Sequence, residues 1–475
     1  MAGMERNTQV RAVFLSSGLP VGIDAYRRHH PRIDVPDNLE ILEKLRGECQ
    51  GVRLLGDGEV TKAEQAVLKT RQERDQLDGL LVFGAPPEDL ISIGLPMVAV
   101  ERPLEGCTTV PFHSYSQSMV LTSSLPAHRD KDSEVYSSRL QNIAGKVETL
   151  DAIARMKGLR ILVVTDSPPL GYFEPIDLQI KKGREEYEGI YEKNLRETFG
   201  AEIVTAPQQE ILDKMDEIDH SAARKVAGAW IREAVALRGA NEEEVLKSGM
   251  LYLAMKEMLK EHECDAITTE GYGWPPLGYE EGPPSQGLPS SQLCTEGVVA
   301  TSETLIDCLI TQQLGLYITG SAGFMGDYTI DPHTDIAIMA HCEGSFRPYA
   351  DERRAPYVIR NLPFVDEDSG GACVQIDYPI GETVTVAKIS MYGRKLSLWT
   401  GETVSGEELF PYWNDVLGRT KLAVRCNARA LLENVDWGTF GNHRAAFFGD
   451  HRQKFKDLAK LIGFEVVEKD KVTGA

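Results

Sequence analysis

At 475 residues the chain is too long for one hydrophobic core and is expected to divide into about two to four domains. Its 42% hydrophobic and 26% charged content is that of a globular protein, and no apolar run approaches the ~20 residues of a membrane span. A formal net charge of −21 repels phosphate backbones and argues against a nucleic-acid partner, though not against an anionic small molecule held in a locally basic pocket.

The N-terminal part alternates short apolar runs with helical spacing. QVRAVFLSS, GVRLLG, GLLVFG and PMVAV read as buried strands bounded by Gly, Pro or Asp. Between them DNLEILEKLRGEC and TKAEQAVLKTRQERDQL read as helices opened by Asp37 and Thr61. This βαβα order predicts a parallel sheet covered by helices, the N-terminal α/β domain 1–155. No signal-peptide core precedes the first strand, which points to the cytoplasm. The eight scattered cysteines lack a C-x-x-C pair and fit a reduced protein.

A charged helix, SSRLQNIAGKVETLDAIARMKG, leads into a fresh strand, LRILVVTDS, which sets the first boundary. The following unit, 156–345, repeats the α/β pattern with strands at GAEIVTA, CDAITTE, GLYITG and DIAIMAH. Its Pro/Gly-rich segment 271–292 reads as one long irregular loop, a length that suits a substrate-covering element. Beyond 345, ACVQIDYPI, ETVTVAKISMYG, KLSLWTGETV and TKLAVRCNA read as antiparallel strands, followed by the helix DHRQKFKDLAKLIG and the strand FEVVE. The expected fold class is α/β: two doubly wound parallel-sheet domains followed by a β-rich, barrel-like C-terminal domain, 346–475.

The stretch Cys294–Cys342 carries the candidate chemistry. Glu296 is read as opening a long helix, Asp327 as following a Gly-rich turn, and His341 as ending the apolar strand DIAIMAH; His443 lies far downstream in FGNHRAAFFGDH. Two carboxylates and imidazoles at element ends suit a divalent metal such as Mn²⁺. Each also has a structural reading: a helix-dipole carboxylate for Glu296, a turn aspartate for Asp327, a satisfied buried imidazole for His341. Cys342 reads as a small buried hydrophobe. No dinucleotide fingerprint, phosphate loop, G-x-S-x-G elbow or H-E-x-x-H zinc helix is present.

Taken together these segments resemble the L-fucose isomerase and L-arabinose isomerase superfamily. FMGDYTID followed by a strand into AHC is similar to the arabinose-isomerase stretch F-M-E-D-Y-T that precedes a metal-binding histidine; CTEGVV resembles the segment bearing the first ligating glutamate; FGNHRAAFFGDH resembles the segment supplying the last histidine. The resemblance implies a metal-dependent aldose–ketose isomerase acting through an enediolate. Glu296 and Asp327 would be the acid/base pair and, with His341 and His443, the ligands of Mn²⁺ or another divalent ion. Gly326 stands where the arabinose branch has Glu, so the second ligand is expected to be Asp327, as in the fucose branch. A small-molecule sugar is the implied substrate, with Trp274 a candidate apolar face for it, and the implied assembly is a trimer or hexamer. A metal-dependent epimerase or lyase and a non-catalytic sugar-binding protein are the competing readings.

Overall fold

The computed structural model describes residues 8–16, 37–103, 119–126, 131–166, 183–270, 284–361, 372–410, 413 and 419–471. They fall into two compact units, Met1–Arg155 with Gln453–Glu465, and Met156–Arg452 with Val466–Ala475. The architecture is mixed α/β, with two parallel sheets and one antiparallel sheet closed into a barrel. Among the described residues no helix is long and apolar enough to cross a membrane.

The first unit holds a parallel sheet of β1 (Thr8–Leu15), β2 (Val52–Leu55), β3 (Val60–Thr61), β4 (Gly79–Phe83), β5 (Met97–Glu101) and β6 (Val120–Ser124). Its order is β2-β1-β4-β5-β6, with β3 also paired to β1. Every residue of β4 and β5 is buried, the mark of a parallel sheet covered on both faces. Asp37 starts the helix Asn38–Glu48 with a capping box closed by Glu40. Thr61 does not cap the next helix: it ends β3, and Lys62 precedes the helix Ala63–Glu73. The helix Glu134–Met156 is tied to the helix Arg452–Ile462 by a buried Lys146–Asp457 pair at 2.6 Å.

In the second unit, β7 (Arg160–Val164), β8 (Glu202–Ala206), β10 (Ala266–Thr269) and β11 (Ala300–Thr301) form the other parallel sheet, in the order β11-β10-β7-β8. β9 (Ala236–Arg238), β14 (Tyr357–Arg360) and β15 (Cys373–Ile376) make a small separate sheet. The barrel is built from β12 (Phe324–Asp331), β13 (Ile336–His341), β16 (Thr383–Ser390), β17 (Lys395–Val404), β18 (Thr420–Arg425) and β19 (His443–Phe448). Antiparallel pairing runs β16-β19-β12-β13-β18-β17, and β17 pairs back to β16 to close the ring. β20 (Glu465–Glu468) extends the sheet beyond β17.

Several elements differ from the sequence reading. GLYITG, taken for a strand, lies in the last turns of the helix Ile306–Thr319. That helix is buried nearly all round, so its apolar run lacks the period that separates helix from strand. Part of the segment read as irregular loop is the buried helix Gly287–Thr295. β12 and β13, assigned from sequence to the central α/β domain, are barrel strands, because a buried apolar run such as IAIMAH fits either kind of sheet. ACVQIDYPI pairs with β14 and not with the barrel.

Candidate metal centre

Barrel register brings the downstream histidine to the central segment. Asp327 lies directly opposite His443 across β12–β19 and opposite Ala340 across β12–β13, and His341 is the residue after Ala340. Asp327 is thus inside a strand and not in a turn, and His443 opens one. His443 Nε2 is 3.3 Å from Asp327 Oδ1, and the His341 and His443 rings are 5.2 Å apart in an edge arrangement. Both imidazoles are almost wholly buried.

The fourth side chain is Glu303, which the sequence reading did not select. Its carboxylate lies 3.5 Å from His443 Nε2 through Oε2 and 3.7 Å from His341 Nε2 through Oε1. Glu303 sits in the turn between β11 and the helix Ile306–Thr319, at φ +63°, followed by Thr304 at φ +51°. Two successive non-glycine residues in the left-handed region cost about 1–3 kcal/mol each and persist only where the surroundings impose them. Here Ser302 donates from N and Oγ to Glu343 Oε1, at 3.1 and 3.2 Å, and Thr304 N donates to Thr269 O at 2.9 Å.

Glu296, expected to be the first ligand, is held elsewhere. It does not open a helix: it caps the C-terminus of Gly287–Thr295, and Gly297 at φ +83° turns the chain away. Its carboxylate accepts from Tyr252 Oη (2.6 Å), Gln292 Nε2 (2.8 Å) and Lys256 Nζ (3.1 Å), none of them a member of the histidine cluster. The structure therefore brings together Asp327, His341 and His443, and adds Glu303 in place of Glu296. Trp274 lies outside the described residues.

The surroundings orient these groups. Asn442 Nδ2 donates to Asp327 Oδ1, and Arg419 Nη2 stands 3.7 Å from Asp327 Oδ2. The buried Arg444 donates from Nη1 to the carbonyls of Phe440, Gly441 and His443 at 2.7–3.0 Å, fixing the entry into β19. Burial pushes the Glu303 carboxyl up, but His341, His443 and Arg419 outweigh it and hold the group at about 2. Burial holds His443 down at about 4 against the pull of Asp327 and Glu303, which leaves a neutral imidazole. His341 is driven the other way: burial opposes its charge, yet Cys342, Glu303 and Glu343 raise it well above the ordinary histidine value.

Glu303, His341 and His443 form a donor set that fits a divalent cation, and Asp327 meets that set at His443 Nε2. Ligand atoms about 2.0–2.2 Å from one ion lie about 3 Å or slightly more from their neighbours, close to the separations found here. Among the described residues His341 Nε2 is buried without a hydrogen-bond partner, Glu303 Oε1 standing 3.7 Å away, and a cation held between the two would take the place of the Nε2 proton. Glu303, His341 and His443 each offer an atom to a common centre, within 4.8 Å of one another.

No family model matches the chain, and no curated protein does. Among solved structures, a putative two-component system response regulator/GGDEF domain protein shares 16% identity over 65% of this chain and 99% of its own, with a TM-score of 0.23. An ABC transporter periplasmic solute-binding protein from Actinobacillus succinogenes 130z with bound D-allose shares 10% identity over 65% of this chain and 92% of its own, with a TM-score of 0.14. At such TM-scores neither likeness carries an argument about fold or function.

Proposed function

We propose that the chain is a metal-dependent aldose–ketose isomerase similar to the fucose and arabinose isomerases, with Glu303, Asp327, His341 and His443 holding one divalent cation, Mn²⁺ by preference. The observation that carries this reading is the meeting of two carboxylates with two buried imidazoles. Carboxylate oxygens suit Mn²⁺ and imidazoles suit first-row divalent ions generally, so the mixed set admits Mn²⁺. When bound, the cation would supply Lewis-acid polarisation of a carbonyl and of its neighbouring hydroxyl.

The residues would divide the remaining work. Glu303 and Asp327 both lie against His443 Nε2, so a C1–C2 unit placed there meets a carboxylate on either side. One carboxylate takes the proton from the carbon and the other moves the hydroxyl proton, and the roles exchange when the reaction reverses. Glu303 stays ionised, as a ligand to a cation must, while Asn442 and Arg419 fix the Asp327 oxygens in place. Neutral His443 offers a lone pair and competes for no proton. A cytoplasmic homo-oligomer acting on a small sugar belongs to the same proposal.

The test is isotope exchange. Incubation with Mn²⁺ in D₂O and a panel of pentoses, hexoses, deoxy sugars and acidic sugars should place deuterium at C1 or C2 of a substrate. Cation binding without exchange on any member would overturn the isomerase and leave a sugar-binding or lyase role; absence of cation binding would overturn the centre itself.

A further inference from the structure

Glu343 belongs to none of the four positions above, yet it touches the two segments that deliver Glu303 and His341. It is 3% exposed and lies two residues beyond His341, where the chain leaves β13. Its Oε1 accepts from both N and Oγ of Ser302, the residue before the strained Glu303. The same Oε1 faces His341 Nδ1 at 3.7 Å, on the far side of the imidazole from the Nε2 that looks toward Glu303. Glu343 Oε2 is buried and makes no hydrogen bond among the described residues. The segment itself is pinned, since Gly344 N donates to Ser291 Oγ at 3.0 Å. Cys342 Sγ meets the same Nδ1 at 3.8 Å; at 3.7 Å the Glu343 carboxylate is too far for a hydrogen bond and acts on the imidazole through its charge and its hold on the Ser302 segment.

We infer that Glu343 is a positioning residue that couples the Glu303 turn to the His341 imidazole, so that both ligands are set by one buried carboxylate. The inference rests on the proposed cation centre. Its chemical content is specific. The carboxylate faces the His341 imidazole, whereas the two Ser302 contacts need only an acceptor oxygen, which an amide also supplies. Glu343→Gln keeps an acceptor for Ser302 and removes the charge, so it separates the two roles; Glu343→Asp restores the charge on a shorter arm.

The experiment titrates Mn²⁺ into the full-length protein, the Glu343→Gln variant and the Glu343→Asp variant. It follows affinity by calorimetry, the Mn²⁺ environment by electron paramagnetic resonance, and the metal-free melting temperature. Glu343→Gln should bind about 10–100-fold more weakly with an altered resonance and an unchanged metal-free melting temperature, and Glu343→Asp should recover part of the affinity. Equal affinity and an identical resonance for Glu343→Gln would overturn this inference alone. Failure of the parent to bind any Mn²⁺ would overturn the centre and the inference together. Two ions per chain by elemental analysis would also overturn it, since Glu343 with Cys342 and His341 Nδ1 would then be ligands of a second ion.

Discussion

Glu296 and Glu303 stand on either side of one short strand and have opposite fates. Glu296 closes a helix in a favourable conformation, is partly exposed, and is satisfied by a tyrosine, a glutamine and a lysine. Glu303 occupies a left-handed backbone position, is largely buried, and faces two imidazoles at 3.5–3.7 Å without closing a short hydrogen bond to either. The first arrangement stabilises a fold and leaves nothing over. The second spends backbone strain and burial on a carboxylate whose neighbours are spaced for something between them, which is how strain and function coincide.

The largest expected effect separates the two directly. Saturating Mn²⁺ at about 100 times its dissociation constant should stabilise the protein by about 2.7 kcal/mol, read as a rise in melting temperature. Glu303→Gln should abolish that rise and weaken binding by at least about 100-fold, beyond the loss typical of a residue behind a ligand. Glu296→Gln should keep the full rise. A Glu303→Gln protein that still melts higher with Mn²⁺ would return the ligand role to another carboxylate.

A smaller effect concerns the strands that carry the site. A Cβ at Gly326 would lie 3.0 Å from Ala340 N and 3.1 Å from Ala340 O, between the residues preceding Asp327 and His341. Gly326→Ala should cost about 1–3 kcal/mol in denaturant unfolding, as overpacking does, and should weaken Mn²⁺ binding by spreading β12 from β13. An unchanged unfolding midpoint would show that the strands yield without cost. Glu303→Gly should act in the opposite sense: relief of the left-handed backbone should raise metal-free stability by about 1 kcal/mol while metal binding is lost. A lower melting temperature would mean that the turn stores no strain.

Part of this was legible in the sequence. The apolar run IAIMAH ends in His341, and a polar residue at the end of a buried strand is a site signal; with the FMGDYTID motif it selected Asp327 and His341. The same rule applied to the shorter run VVAT, two residues before Glu303, would have reached the fourth side chain. Resemblance to a known segment drew attention to CTEGVV instead, although Glu296-Gly297 is a helix-stop pair. What no local pattern carried was the barrel register that sets Asp327 opposite His443, because strand pairing over that separation depends on closure of the whole ring.

The smallest effect sharpens the structural role left to Glu296. Burial raises its carboxyl, but hydrogen bonds from Tyr252, Gln292 and Lys256 outweigh that and hold it below the ordinary glutamate range. A folded-state value below the unfolded one means the carboxylate adds stability above about pH 4.3, which is lost as pH falls through the lowered value. Lys256 and Glu296 are both partly exposed, so screening limits the contribution to about 1 kcal/mol or less. Glu296→Gln should therefore lower the unfolding free energy slightly at pH 7, with the gap to the parent closing in chemical denaturation as pH falls below the ordinary glutamate range. A gap that is independent of pH would place the loss in packing around Tyr252, and one well above 1 kcal/mol would mean that the charge at this helix end is screened far less than its exposure implies.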